Sequence, residues 1–193
     1  ALELLHNVKF RITPTREVAR LKHERGKLIP EADLYLYTDG SYYPPSEDSD
    51  AEAGAGAILQ DGGRFTIASL SRKVEPACYS YHSEMTALIM GLEMILNCDA
   101  LQMNPSCTVC VLTDSQSLLT HLEAISRQVR PYLYDMSQEL IDLISSLTTQ
   151  GTDLEFVWIP GHIGIEGNEQ ADVAAKQGLD ASDCITTEYP INI

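Results

Sequence analysis

The chain has 193 residues, 44% of them apolar, and a formal net charge of −15; this length fills one core of about 150 residues with flanking segments and is short for two domains. No apolar run approaches the roughly 20 residues that cross a bilayer, and the N-terminal ALELLHNVKFRITPT lacks a signal-peptide core, so an intracellular monomer without membrane attachment is expected. Residues 1–31 hold seven Lys and Arg against four acids, which leaves −18 on the rest, and a body that acidic repels a phosphate backbone at long range unless particular residues overturn the repulsion.

Residues 1–31 have irregularly spaced basic residues, Pro14 and Pro30, and little periodicity; they read as a basic arm or linker. DLYLYTDGS reads as a strand ending on Asp39, and YYPPSEDSDAEAG as an exposed loop rich in Pro, Ser and acids. AGAGAILQ and RFTIASL follow as a hairpin turned at Asp61-Gly62-Gly63. YHSEMTALIMGLEMILNC places Met85, Leu88, Ile89, Leu92, Ile95 and Leu96 on one helical stripe. Beyond the Asn104-Pro105 break, CTVCVLTDS is nearly continuous in apolar residues, as in a strand covered on both faces. The spacing of Leu118, Leu119, Leu122 and Ile125 predicts a helix. A second opens at Pro131, turns Leu133, Met136, Leu140, Ile144 and Leu147 inward, and is closed by Gly151.

DLEFVWIP is the fifth strand. NEQADVAAKQG is a last helix with Asn168 as its N-cap and Gly178 just past its end. The order is βββαβααβα: an α/β fold with a mixed five-stranded sheet, three antiparallel strands then parallel ones, flanked by helices. The domain spans 32–179, and residues 180–193 are a tail without a readable signal. Five scattered cysteines form no disulfide framework and fit a reducing compartment. Cys107 and Cys110 have CxxC spacing, but they lie in a strand-like run without a second pair, so packing explains them better than zinc.

Sites in such sheets gather at the carboxyl ends of the parallel strands. TDGS and TDSQS each put an Asp there, Asp39 and Asp114, and neighbouring parallel strands would bring the two carboxylates together. Either Asp alone reads equally as a cap or turn residue. Glu84 lies at the edge of its helix's inward stripe, where a solvated glutamate would point away. Asp172 follows Asn168 in the first turn of the last helix, where the dipole favours an acid. Before it, WIPGHIGIEGNEQAD carries three glycines (Gly161, Gly164, Gly167) and His162, a residue type suited to proton transfer.

This set, in this order, resembles the type 1 ribonuclease H family over about residues 33–178, and is especially similar to the ribonuclease H domains of non-LTR retrotransposon polyproteins, which share the W-I/V-P-G-H-x-G-I-x-G-N-E-x-A-D form. The resemblance implies that Asp39, Glu84, Asp114 and Asp172 hold two Mg²⁺ or Mn²⁺ ions and that His162 assists proton transfer or product departure. It implies hydrolysis of the RNA strand of an RNA–DNA hybrid to 5′-phosphate products. The 2′-hydroxyl would be sensed at Gly40, Ser41, Ser80, Tyr81 and His82, and a reverse transcriptase region of the same polyprotein could precede the domain.

Hard divalent ions suit such a carboxylate cluster independently of the resemblance, since they prefer oxygen and neutralise mutual repulsion. The sequence departs from the family pattern in three places: asparagines common before the Glu are absent, the loop after Ser41 is long and acidic, and no basic protruding helix fits between Asp114 and Trp158. Two other readings stay open, an idle binding module of the same fold and a DNA-directed nuclease.

Overall fold

The computed structural model describes residues 8–127 and 135–186. In chain order these form β1 (Val8–Arg11), α1 (Arg16–Glu24), β2 (Leu34–Tyr43), β3 (Glu52–Asp61), β4 (Thr66–Glu75), α2 (Ser80–Leu96), α3 (Asp99–Met103), β5 (Thr108–Thr113), α4 (Gln116–Ser126), α5 (Asp135–Thr149), β6 (Asp153–Trp158), α6 (Glu166–Gly178) and β7 (Cys184–Thr186). The strands make one sheet in the order β1-β6-β5-β2-β3-β4-β7. β2, β3 and β4 are antiparallel neighbours, whereas β5 runs parallel to β2, β6 to β5 and β1 to β6.

The central strands are buried without alternation, from Leu34 to Asp39 in β2 and from Val109 to Thr113 in β5, because helices cover both faces. On one face α2 lies so close that a Cβ on its Gly91 would come within 2.9 Å of the Thr38 methyl group. On the other, α6 presents Ala171, Ala174 and Ala175 to β3, and a Cβ on Gly56 would stand 2.4 Å from the Ala175 nitrogen. Small residues on both partners are what let α6 approach this near. Cys107 and Cys110 are buried in the core as free thiols, with burial pushing Cys110 up to about 12; packing accounts for them.

The expected five strands, β2 to β6, form the middle of the sheet, and two more extend it. Residues 8–24, read from the sequence as an arm or linker, form an edge strand and a helix. β1 pairs with β6 from Val8↔Leu154 to Arg11↔Val157, Arg11 bonds to Glu155, and Phe10 stacks on Phe156 with ring centroids 5.3 Å apart. Such an aromatic pair contributes about 0.5–1.5 kcal/mol beyond its buried area. A strand of four residues has too short a period to be seen in a sequence with this many charges. At the other edge Cys184–Thr186, from the segment read as a tail, pairs with β4.

The hairpin turns at Asp61-Gly62-Gly63 as expected, with Arg64 left-handed (φ 65) and Phe65 N–H donating to the Asp61 carboxylate at 3.0 Å. Two local expectations change. α6 begins at Glu166 with Ile165 as its N-cap, so Asn168 is inside the helix and Asp172 falls in its second turn. Gly178 is the last helical residue. A Cβ there would stand 2.5 Å from the Arg72 carbonyl oxygen, so its smallness serves packing against β4. Leu140, Ile144 and Leu147 of α5 are buried as expected; Pro131 and Leu133 lie outside the described residues.

Candidate active site

Register brings the first two acids together. β2 pairs with β5 from Leu34↔Val109 to Tyr37↔Leu112, and the same offset carried two residues further sets Asp39 opposite Asp114. β2 does not end at Asp39, as the sequence reading had it; it runs on to Tyr43, paired with β3. Asp39 is therefore held rigidly within a strand, at the point where β2 outruns its parallel neighbour, while Asp114 follows the last residue of β5.

Glu84 arrives from α2. A Cβ on Gly40 would lie 2.4 Å from the Ser83 carbonyl carbon and 2.5 Å from the Glu84 nitrogen, so the first turns of α2 rest directly on the backbone of β2. The Ser83 hydroxyl, donating to the Ser80 carbonyl at 2.8 Å, ties that turn down. One carboxylate oxygen from each of Asp39, Glu84 and Asp114 then lies within 4.8 Å of the others. Asp39 is 5% exposed and Glu84 9%, and Glu84 Oε2 is buried without a hydrogen-bond partner.

Such crowding shifts all three acids. Burial, then the Asp114 charge, raises Asp39 to about 7. Burial, then Asp39 and Asp114, pushes Glu84 well above the usual carboxylate range. Asp114 is raised by burial, partly countered by nearby Asn168 and His162. An acid trio with two buried members and a donorless oxygen is an environment for a cation, and an all-oxygen donor set matches hard divalent ions.

Asp172 stands at the margin. It is half-buried, close enough to raise both Asp39 and Asp114, and bridged by Lys176 Nζ at 2.9 Å. His162 is exposed, with φ 59, on a loop pressed against the trio: a Cβ on Gly161 would come 2.8 Å from Asp114 Oδ2. The Trp158 indole donates to the Asp114 carbonyl at 3.1 Å, fixing the end of β6 to the same spot.

Gly40, Ser41 and Ser80 border the cluster at the surface end of β2 and the start of α2, and Tyr81 is half-buried with its ring stacked 6.0 Å from His121. His82 is 1% exposed, and burial lowers it to about 4. Its neutral ring is part of the core and presents no surface to a ligand. Sequence reasoning missed Asn168 as a site residue, since its place before an apolar run looked like a cap. It also missed Arg16, whose Nη2 donates to the Gly161 carbonyl at 2.7 Å; nothing local in TPTREVAR signals a partner 145 residues away.

The RNase H family model matches residues 31–180. A ribonuclease H of Thiobacillus denitrificans is 30% identical over 159 residues, which cover 76% of this chain and 93% of that protein. Among solved structures, LC11-RNase H1 in complex with RNA/DNA hybrid superposes with a TM-score of 0.54 at 22% identity, covering 76% of this chain and 96% of that one. The foamy viral protease-reverse transcriptase in complex with RNA/DNA hybrid gives 0.57 at 19% identity, over 77% of this chain and 20% of that one. At these identities the two structures share the fold.

Proposed function

Given that the chain belongs to the ribonuclease H family, we propose that it cuts the RNA strand of RNA–DNA hybrids, using two divalent cations, Mg²⁺ or Mn²⁺, held by Asp39, Glu84, Asp114 and Asp172. The observation that carries this reading is the convergence of two buried carboxylates, Asp39 and Glu84, and the half-buried Asp114 around the unpartnered Glu84 oxygen. Bound there, the cations would supply Lewis-acid activation of a water and charge neutralisation at the scissile phosphate.

The chain's own residues do the rest. Asp39, fixed in β2 opposite Asp114, would hold a cation together with Glu84 and Asp114. Asp172, on α6 and tied by Lys176, would add a fourth carboxylate to the set, and Glu84 and Asp114 would help neutralise the charge that develops at the leaving oxygen. His162, exposed beside Asp114, is placed to take or give a proton as the product leaves. Gly40 and Ser41 offer main-chain groups, and Ser80 its side chain, to the 2′-hydroxyl that distinguishes RNA; Tyr81, whose hydroxyl is buried, and His82 support them from within the fold. The GHIGIEGNEQAD form and the likeness in fold to a foamy viral reverse transcriptase chain favour a retroelement polyprotein as the setting, with a reverse transcriptase region as partner.

The test is incubation of labelled RNA–DNA hybrid, RNA duplex and DNA duplex with Mg²⁺ or Mn²⁺. The expected result is cleavage of the hybrid's RNA strand alone, leaving 5′-phosphate ends. Intact hybrid with both ions overturns the reading.

A further inference from the structure

The matched domain is ill-suited to hold a polyanion: residues 31–180 carry 23 acids against six Lys and Arg. The segment just before it has the opposite character. Residues 8–27 hold seven of the chain's 13 basic residues and two acids, and the fold puts them in a particular place. β1 runs parallel to β6 in register from Val8↔Leu154 to Arg11↔Val157, so the chain leaving Arg11 emerges at the same end of the sheet as the chain leaving Trp158. That is the end where Asp114 and the His162 loop lie.

α1 begins there, capped by Thr15, whose hydroxyl accepts from Val18 N–H at 3.2 Å. It is anchored by burial of Ala19 and by the Arg16 bond to the Gly161 carbonyl. Arg20, one turn on from Arg16, shares its face of the helix. Arg20, Lys22 and Arg25 are exposed. The one ion pair among these three within the described residues is Arg20–Glu24 at 3.9 Å, more than half exposed on both sides, and such a pair contributes little and yields readily to a better anion.

We propose that residues 8–27 form a phosphate clamp, in which β1 docks α1 beside the His162 loop and Arg20, Lys22 and Arg25 grip the sugar–phosphate backbone of the hybrid entering the site. The inference rests on the hybrid being the substrate, and it assigns the grip to a folded element outside the matched domain. The contact is electrostatic and blind to base sequence, so it shows in affinity and salt dependence.

The experiment compares the intact chain with the triple variant Arg20→Gln/Lys22→Gln/Arg25→Gln, and with Lys73→Gln on β4, toward the opposite edge of the sheet, as control. Binding of a fluorescein-labelled RNA–DNA hybrid is followed by anisotropy in EDTA across a salt series, and cleavage is measured with Mg²⁺. The three side chains are exposed, so the melting temperature should stay at the parent's. The expected result is a Kd raised about tenfold or more, a log Kd against log salt slope shallower by about 2–3, a raised KM and an unchanged kcat, with Lys73→Gln like the parent.

Equal affinity and slope in triple variant and parent overturn the clamp, as does a parent that does not bind hybrid at all. The two readings fail separately. A parent that binds through these residues but cuts nothing refutes the activity alone. A parent that cuts with variant-independent KM and slope refutes the clamp alone.

Discussion

The backbone nitrogen of Glu84 lies 2.5 Å from the point where a Cβ on Gly40 would stand. Two acids from distant parts of the chain meet because a strand and a helix touch through their main chains at this one residue. Gly40→Ala must therefore push α2 away from β2, since the obstructing atoms are backbone and cannot rotate aside. The expected cost is about 1–3 kcal/mol, the range for overpacking a well-filled core, together with loss of hybrid cleavage of at least about a hundredfold. Thermal melting and initial rates check this. Wild-type activity in a fully folded Gly40→Ala protein would show that the Glu84 position is not critical.

Asp39 ties stability to pH with a definite sign. Its carboxyl titrates near 7 in the folded protein, against 3.8 ordinarily, so the folded state holds the proton more tightly than the unfolded one. The associated stability is fully present below the unfolded value and is lost as pH rises through about 7; Glu84 acts in the same direction. Asp39→Asn removes the effect and should stabilise the metal-free protein at pH 8 by about 2–4 kcal/mol, with the advantage shrinking toward pH 5. Added Mg²⁺ should raise the melting temperature of the parent at pH 8 and leave that of Asp39→Asn unmoved. Melting curves in EDTA and in Mg²⁺ at both pH values decide it, and a variant less stable than the parent at pH 8 contradicts the account.

What the sequence made legible divides along physical lines. The central strands, the α2 stripe and the α5 positions Leu140, Ile144 and Leu147 were readable because burial on one or both faces leaves a periodic trace. Asp39 and Asp114 could be paired in advance because each follows an apolar run and the two runs lie side by side in parallel, although β2 itself continues past Asp39. β1 and β7 were not readable, since strands of four and three residues are held by the sheet they join. Asn168 and Gly178 look like helix-end residues. Tertiary contact instead uses one beside Asp114 and the other against the Arg72 carbonyl.

Gly161 separates positioning from folding. A Cβ there meets the Asp114 carboxylate at 2.8 Å, and this neighbour is a partly exposed side-chain end that can turn away. Gly161→Ala should thus keep most of its stability, within about 1 kcal/mol, while displacing a site oxygen and lowering turnover about tenfold or more. Titration with Mg²⁺ should show weaker activation than in the parent. An unaltered metal dependence together with unaltered kcat would mean that Asp114 Oδ2 is not used.

His162 combines the proposed role in proton transfer with a conformational strain, and two substitutions pull them apart. Its φ of 59 is a left-handed conformation that costs a residue with a Cβ about 1 kcal/mol and a glycine almost nothing. His162→Ala and His162→Gly both remove the imidazole and should both lose about a hundredfold in turnover, the lower end of what proton transfer by a side chain contributes. Their stabilities should differ, with His162→Gly the more stable of the two by about 0.5–1 kcal/mol. If the strain and not the ring were what mattered, the two variants would differ in turnover as they differ in melting temperature. Parallel loss of activity with divergent stability is the outcome that assigns the proton to the ring.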